Sequence, residues 1–340
     1  MRLGSVILVL IMALVLFASA CVKTTPSPEP PAPTPSAEPI VLKAVTGLPE
    51  AVRGNWALFH FIDIVNERGK GELIIDYLGG PEVIGTFDQA MSVRTGVVDM
   101  SHVFSAAYSG LVSGVESLPY SQLTFEEEET GPFYDLMFDE HKKAGLIYLG
   151  RASNPQPTAF FGIWLNVKVD TLADMAGLKI GGISPQFNRF LQVLGAAPVV
   201  MAPGEQYSAL ERGVVDGVWD ATEGPVPGGW YEVVKYFLNH RFGGNNMVYI
   251  INPDTWNRLS QSQQNLLIEA KMETERWIAP LWEEQINSDM DIWRESEIEF
   301  IMFPPEDAER FTETMYQAGW EELMERYPDI TPKLKELLTK

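Results

Sequence analysis

One phrase occurs twice in this chain of 340 residues, and each copy follows a stretch in which strands alternate with helices. A helical segment ends at a glycine and runs into Val-Val-Asp, once at residues 91–100 and again at 209–217. Before the first copy, 40–46 is a β-branched run and 56–67 carries apolar residues at helical spacing. Residues 73–78 then read as an Ile-Ile-rich strand stopped by Gly79-Gly80-Pro81. Before the second copy, strand-like 159–167 and 178–181, a helix over 187–194 and a strand at 198–201 repeat the order. Such alternation predicts βαβ units around mainly parallel sheets. Two sets of it predict an α/β fold with one topology used in two lobes. Ligands of such sheets bind at the carboxyl ends of the strands.

The last third of the chain is helical. Apolar periodicity runs from Ser260 to about residue 296, behind a Ser-x-x-Gln start that fits a capping box. Unbroken, that helix would measure about 55 Å at ~1.5 Å per residue, longer than one lobe. Two ordinary helices meeting at a kink fit the same pattern. Residues 297–303 read as a late strand and 308–325 as a surface helix.

The amino terminus predicts export. Arg2 precedes an apolar stretch at 6–18 and then Ala18-Ser19-Ala20-Cys21, the marks of a secretory signal. The apolar stretch is shorter than the ~20 residues of a spanning helix. Cys21, the single cysteine, follows small residues as in a bacterial lipobox, so it is expected to become a lipidated amino terminus. An uncleaved signal anchor is the alternative. Residues 22–39 hold seven of the 24 prolines and predict an extended tether, on the order of 50 Å long. The expected organisation is a signal at 1–20 and the lipidated tether at 21–39. Lobe I takes 41–158 with 247–285, lobe II takes 159–246 with 286–305, and a helical segment occupies 306–340. A formal charge of −21 argues against nucleic acid and against a broad contact with anionic lipid.

No catalytic signature stands out. His60, His102, His141 and His240 are far apart and lack metal-ligand spacing. There is no G-x-S-x-G elbow, no phosphate loop and no dinucleotide glycine motif after a strand. The acidic run 126–129 reads as a solvated helix face rather than a cation site. No cofactor is expected.

The segment from Thr171 to Gly217 opens T-L-A-D-M-A-G-L-K-I-G-G and closes Y-S-A-L-E-R-G-V-V-D-G. Together with G-E-L-I-I-D-Y-L-G-G-P, V-R-T-G-V-V-D-M, Ser117-Leu118-Pro119-Tyr120 and Asn252-Pro253-Asp254-Thr255-Trp256, it resembles the extracytoplasmic solute receptors of TRAP transporters, the DctP-type family. The resemblance covers nearly all of 40–325. It implies a periplasmic-binding-protein-like fold: two α/β lobes, hinge strands and one long helix spanning both. It also implies a non-catalytic receptor that closes on a small molecule and presents it to permease subunits. A receptor without a permease, serving as a sensor or surface lipoprotein, and an enzyme on the same scaffold are the rival classes.

Carried over residue by residue, the resemblance places the family's carboxylate-pairing arginine on Gly181. A second basic position falls on Phe161 and a ligand-contacting asparagine on Asp220. Glycine cannot supply the bidentate pairing of arginine, so a simple C4-dicarboxylate is not expected. Trp164, Trp219 and Trp230 lie on segments expected near the cleft, where they would stack a ring, cage a cation or pack the core. Arg53, with Trp56 beside it, and Arg151 are candidates to meet an anion from lobe I. Asp220 and Glu223 are candidates to meet an amine or hydroxyls. An aromatic or amphipathic carboxylate is the first expectation and a neutral or amine-bearing solute the second.

Overall fold

The computed structural model describes residues 38–151, 161–244 and 247–340. The signal, Cys21 and the tether as far as residue 37 lie outside the described residues. Lobe I is built on β1 (Ile40–Thr46), β2 (Leu73–Gly79), β3 (Met100–Phe104), β4 (Ile147–Arg151) and β10 (Met247–Ile251), in the order β2-β1-β3-β10-β4. Strand β1 runs parallel to both neighbours, and β10 is antiparallel to β3 and β4. Lobe II contains β5 (Phe161–Leu165), β6 (Lys179–Gly182), β7 (Ala197–Val200), β8 (Gly217–Ala221), β9 (Tyr236–Phe242) and β11 (Glu299–Ile301). Their order is β11-β9-β5-β8-β6-β7. The helices of lobe I are α1 (Trp56–Arg68), α2 (Gln89–Arg94), α3 (Phe125–Thr130) and α4 (Pro132–Lys143). Those of lobe II are α5 (Asn188–Val193) and α6 (Gln206–Glu211), and α7 (Pro253–Arg258) follows β10.

The repeated phrase does the same work in each lobe. Gly96 and Gly213 take φ of +75° and +66°, a left-handed turn that glycine adopts without steric cost. Val98 and Val215 are buried, whereas Val97 and Val214 face outward. Asp99 accepts the backbone N–H of Lys43 at 2.9 Å, and Asp216 accepts that of Lys179 at 2.8 Å. Each aspartate thereby ties its own strand to the neighbouring one.

Helix α8 (Gln261–Glu295) is continuous over 35 residues, with the Ser260–Gln263 capping box formed. Its buried face meets three partners in turn. Leu267 and Ala270 join the lobe I core with Leu58, Phe61 and Tyr249, and Ile278 and Trp282 pack on Ala57. Ile286, Met290 and Trp293 enter the lobe II core with Trp164, Trp230 and Phe237. Pro280 sits at the changeover and removes one helical hydrogen bond there.

One expectation is extended and one corrected. Helix α9 (Pro305–Arg326) is a surface helix with an apolar face that buries Phe311, Met315, Ala318, Gly319, Trp320 and Leu323 and joins the two lobes. Its first half lies on Phe190 and Phe242 of lobe II. Its second half carries Gly319 under the Tyr120 ring of lobe I, where a Cβ would collide. Helix α10 (Thr331–Leu338) then docks on lobe I, with the Leu338 carbonyl accepting from the Gln122 N–H at 2.8 Å. The acidic run 126–129 is not uniformly solvated. Glu128 is buried and the Glu129 side chain is 5% exposed; Glu128 pairs with Arg151 at 2.6 Å and Glu129 with Lys271 of α8. Burial pushes the Glu129 carboxyl up, and the Lys271 charge opposes that shift. Lys271 is only 1% exposed and lies 5.3 Å and 5.7 Å from the Phe125 and Tyr134 rings. Gly150, at φ +125°, leaves the room this pair needs.

A buried ion pair loses most when one partner is removed alone. Lys271→Ala is therefore expected to cost about 3–5 kcal/mol in urea unfolding. Lys271→Met combined with Glu129→Leu should cost far less, since no charge is left uncompensated.

Candidate functional site

Strand β4 leads to β5 and β9 leads to β10, so both sheets turn their carboxyl edges toward the same junction. In lobe I, Thr46, His102, Tyr249 and Gly150 stand in one row across β1, β3, β10 and β4. In lobe II, Gly182 pairs with Trp219, which pairs with Ile163, and Phe161 lies between Ala221 and Phe242. The lobes touch on both flanks of this junction. On one flank a Cβ added to Gly54 would lie 3.3 Å from Glu223 Oε1. On the other, the Gly244 N–H donates to the Pro119 carbonyl at 3.1 Å and the Tyr120 hydroxyl to the Gln186 carbonyl at 3.4 Å. A cavity of about 80 Å³ lies between Glu116 and Tyr120, Ser184 and Gln186, and Arg326 of α9. That is less than the ~150 Å³ that accommodates benzene.

The floor on the lobe I side is polar and fully buried. Thr46 Oγ1 donates to Asn55 Oδ1 at 2.7 Å and lies 3.3 Å from His102 Nδ1. Gln89 Nε2 donates to the Thr46 carbonyl at 2.6 Å, and Gln89 Oε1 accepts from the Ser101 hydroxyl at 2.7 Å. Burial pushes the His102 imidazole down to about 3, so it is neutral, and its Nε2 has no hydrogen-bond partner. These residues are scattered along the chain without period or motif, and sequence reasoning missed all but the bare presence of His102. Only their shared position at strand ends and helix starts would have flagged them.

On the lobe II side, Asp220 accepts from Gln206 Nε2 at 3.0 Å and from the Ala221 N–H at 2.7 Å. Burial raises its carboxyl to about 6 against those two bonds. A Cβ on Gly181 would meet Met201 Cε at 2.7 Å, Met201 Sδ at 3.0 Å and Val218 Cγ1 at 3.2 Å. Met201 thus occupies the space a side chain at 181 would enter. Gly182 allows the Trp219 indole to lie against the backbone. Phe161, Phe187 and Trp219 form an aromatic cluster with centroids 4.9–5.4 Å apart.

The structure brings Phe161, Gly181, Trp219 and Asp220 to the carboxyl edge of the lobe II sheet. It does not bring Trp164 and Trp230 there. Both are fully buried against Phe237 and Trp293, in the core that α8 closes. Arg53 is held by Asp289 at 2.5 Å and Arg151 by Glu128, so both candidate cations already carry carboxylate partners. Trp56 stacks on Trp282 with centroids 5.6 Å apart. Among the described residues no cluster of three acidic, histidine or cysteine side chains could hold a metal, and no helix is long and apolar enough to cross a membrane.

Comparison with known proteins agrees with this architecture. Residues 50–326 match the family model of the bacterial extracellular solute-binding proteins, family 7 (DctP). The 2,3-diketo-L-gulonate-binding periplasmic protein YiaO of Escherichia coli K12 is 26% identical over 252 residues, spanning 71% of this chain and 74% of its own. A TRAP periplasmic solute binding protein from Roseobacter denitrificans, solved with β-D-glucuronate, superposes with a TM-score of 0.73 at 20% identity. It covers 88% of this chain and 100% of its own. Another from Desulfovibrio salexigens, with bound orotic acid, gives 0.75 at 18% identity, over 88% and 97%. The match to these structures shows the two-lobed fold. With the family model matching most of its length, this chain belongs to family 7 of the bacterial extracellular solute-binding proteins.

Proposed function

We propose that the chain is an extracytoplasmic receptor that closes on a small organic solute and hands it to a TRAP-type permease. In this reading the solute is held by ring packing and hydrogen bonds, not by an arginine–carboxylate pair. One observation carries the ligand class: Arg53 and Arg151 are each engaged by a carboxylate, and Met201 fills the space at Gly181. A neutral or amine-bearing compound fits that junction. Phe161 and Trp219 offer an apolar edge, Asp220 an acceptor, and the Thr46–His102 row hydrogen-bonding groups. A ring-bearing carboxylate is the second reading, favoured by the acids bound to the relatives described above. Closure requires the solute to bind the closed arrangement better than the open one. Anchoring through lipid on Cys21 belongs to the same proposal and follows from the amino-terminal sequence.

The ligand class is tested by thermal shift against matched amines, polyols and carboxylates. A ligand at a hundred times its Kd adds about 2.7 kcal/mol of stability, which makes binders readable. Stabilisation by amines or polyols is expected. Stabilisation by succinate or malate that survives replacement of both Arg53 and Arg151 would sink the proposal. Stabilisation by ring carboxylates, with the matched amines and polyols inert, would establish the second reading.

Asp220 adds a pH signature. Its folded-state carboxyl is raised from 3.8 to about 6, so the folded protein holds this proton more tightly than the unfolded chain. Its contribution is complete below about pH 4 and is lost as pH rises through about 6, by on the order of 2–3 kcal/mol. Asp220→Asn should flatten unfolding free energy across that window relative to the parent. An amine ligand facing Asp220 should bind more tightly as pH rises through the same range.

A further inference from the structure

We infer that Arg53 and Asp289 form a latch across the hinge, so that Arg53 controls lobe closure without touching the ligand. The inference rests on the two-lobed architecture and not on the ligand class. Arg53 opens a short turn, Arg53–Asn55, in the loop that joins β1 to α1 of lobe I. Asp289 belongs to the part of α8 whose neighbours Ile286, Met290 and Trp293 are packed into lobe II. Arg53 Nη1 meets Asp289 Oδ2 at 2.5 Å, and Gln285 Nε2 donates to the other oxygen at 3.0 Å. The same loop approaches lobe II a second time, where Gly54 faces Glu223. A Cβ at Gly54 would lie 2.6 Å from Leu48 Cδ1, so the Leu48 side chain would have to shift to admit one.

The asymmetry of burial gives the pair its direction. The Asp289 side chain is 1% exposed and that of Arg53 is 19%. If the loop withdraws with lobe I, the Asp289 carboxylate loses its cation and keeps the Gln285 hydrogen bond, so the short ion pair is present only while the loop is docked. The pair therefore favours closed lobes even before a ligand arrives. With Arg53 only 19% exposed and Asp289 buried, salt screens the pair weakly. A ligand-contacting Arg53 would behave differently, because Asp289 would then compete with the ligand instead of cooperating with it.

Electron paramagnetic resonance distances test this without any ligand. Nitroxides are placed at exposed Lys70 and Glu211, one on each lobe, in a Cys21→Ser chain. Arg53→Gln and Asp289→Asn should each raise the ratio of open to closed molecules about tenfold, equivalent to about 1.4 kcal/mol. The double variant should open no further than either single one. If Arg53→Gln fails to fold, Asp289→Asn alone decides. Distance distributions identical to the parent in Asp289→Asn would overturn the latch. Failure of the ligand screen would leave this result untouched.

Discussion

Both cores depend on one helix. The face of α8 that seals lobe I at Leu267 and Ala270 continues into lobe II at Ile286, Met290 and Trp293. Removing it would expose the strand β10 face at one end and a tryptophan cluster at the other. The lobes therefore cannot separate freely; they can only pivot about a rod they share. Pro280 lies where the rod changes partners, so the weakest point in its hydrogen-bond ladder coincides with the pivot. Helices α9 and α10 add a second bridge, from the Phe190–Phe242 surface of lobe II to Tyr120 and Gln122 of lobe I. Closure in such a frame is a small rotation between packed states, as expected of a hinged receptor.

Charge is distributed to suit that motion. Away from the junction, Glu129 and Lys271 lock α3 to α8, and Glu128 holds Arg151 at the last residue of β4. Both pairs lie within the lobe I body and stiffen the end of a hinge strand. Arg53 and Asp289 instead join the loop of one lobe to the helix segment of the other. The junction carries neutral hydrogen-bonding groups, Thr46, Asn55, Gln89 and His102, together with the Asp220 carboxylate, whose charge burial opposes. Such a surface suits recognition by hydrogen bonds and ring contact.

Much of the fold was legible in the chain, for a physical reason. The Gly-Val-Val-Asp phrase specifies a left-handed turn, one buried valine and a strand clamp, all local events, and it does so twice. The length of α8 was ambiguous because proline and periodicity pull opposite ways; packing on both sides decided for continuity. Helix α9 was legible as a surface helix, but not that its apolar stripe, Phe311 to Leu323, bridges the two lobes, because its partners Phe190, Phe242 and Tyr120 lie far upstream. Glu128 and Glu129 misled because their partners lie 23 and 142 residues away, beyond the reach of any local pattern. The site was half legible. Strand-end positions such as Gly181 and Asp220 follow from topology. Whether a tryptophan faces a cleft or a core depends on which helix covers that side of the sheet. For Trp164 and Trp230 the covering helix is α8, more than 50 residues downstream.

Native mass spectrometry of the full chain, purified without denaturation, tests most directly whether the proposed receptor closes on a small solute held without an arginine–carboxylate pair. One small molecule per chain, neutral or amine-bearing and released unchanged on unfolding, is the expected result. A co-purifying dicarboxylate, or a bound compound that the protein converts on incubation, would contradict it.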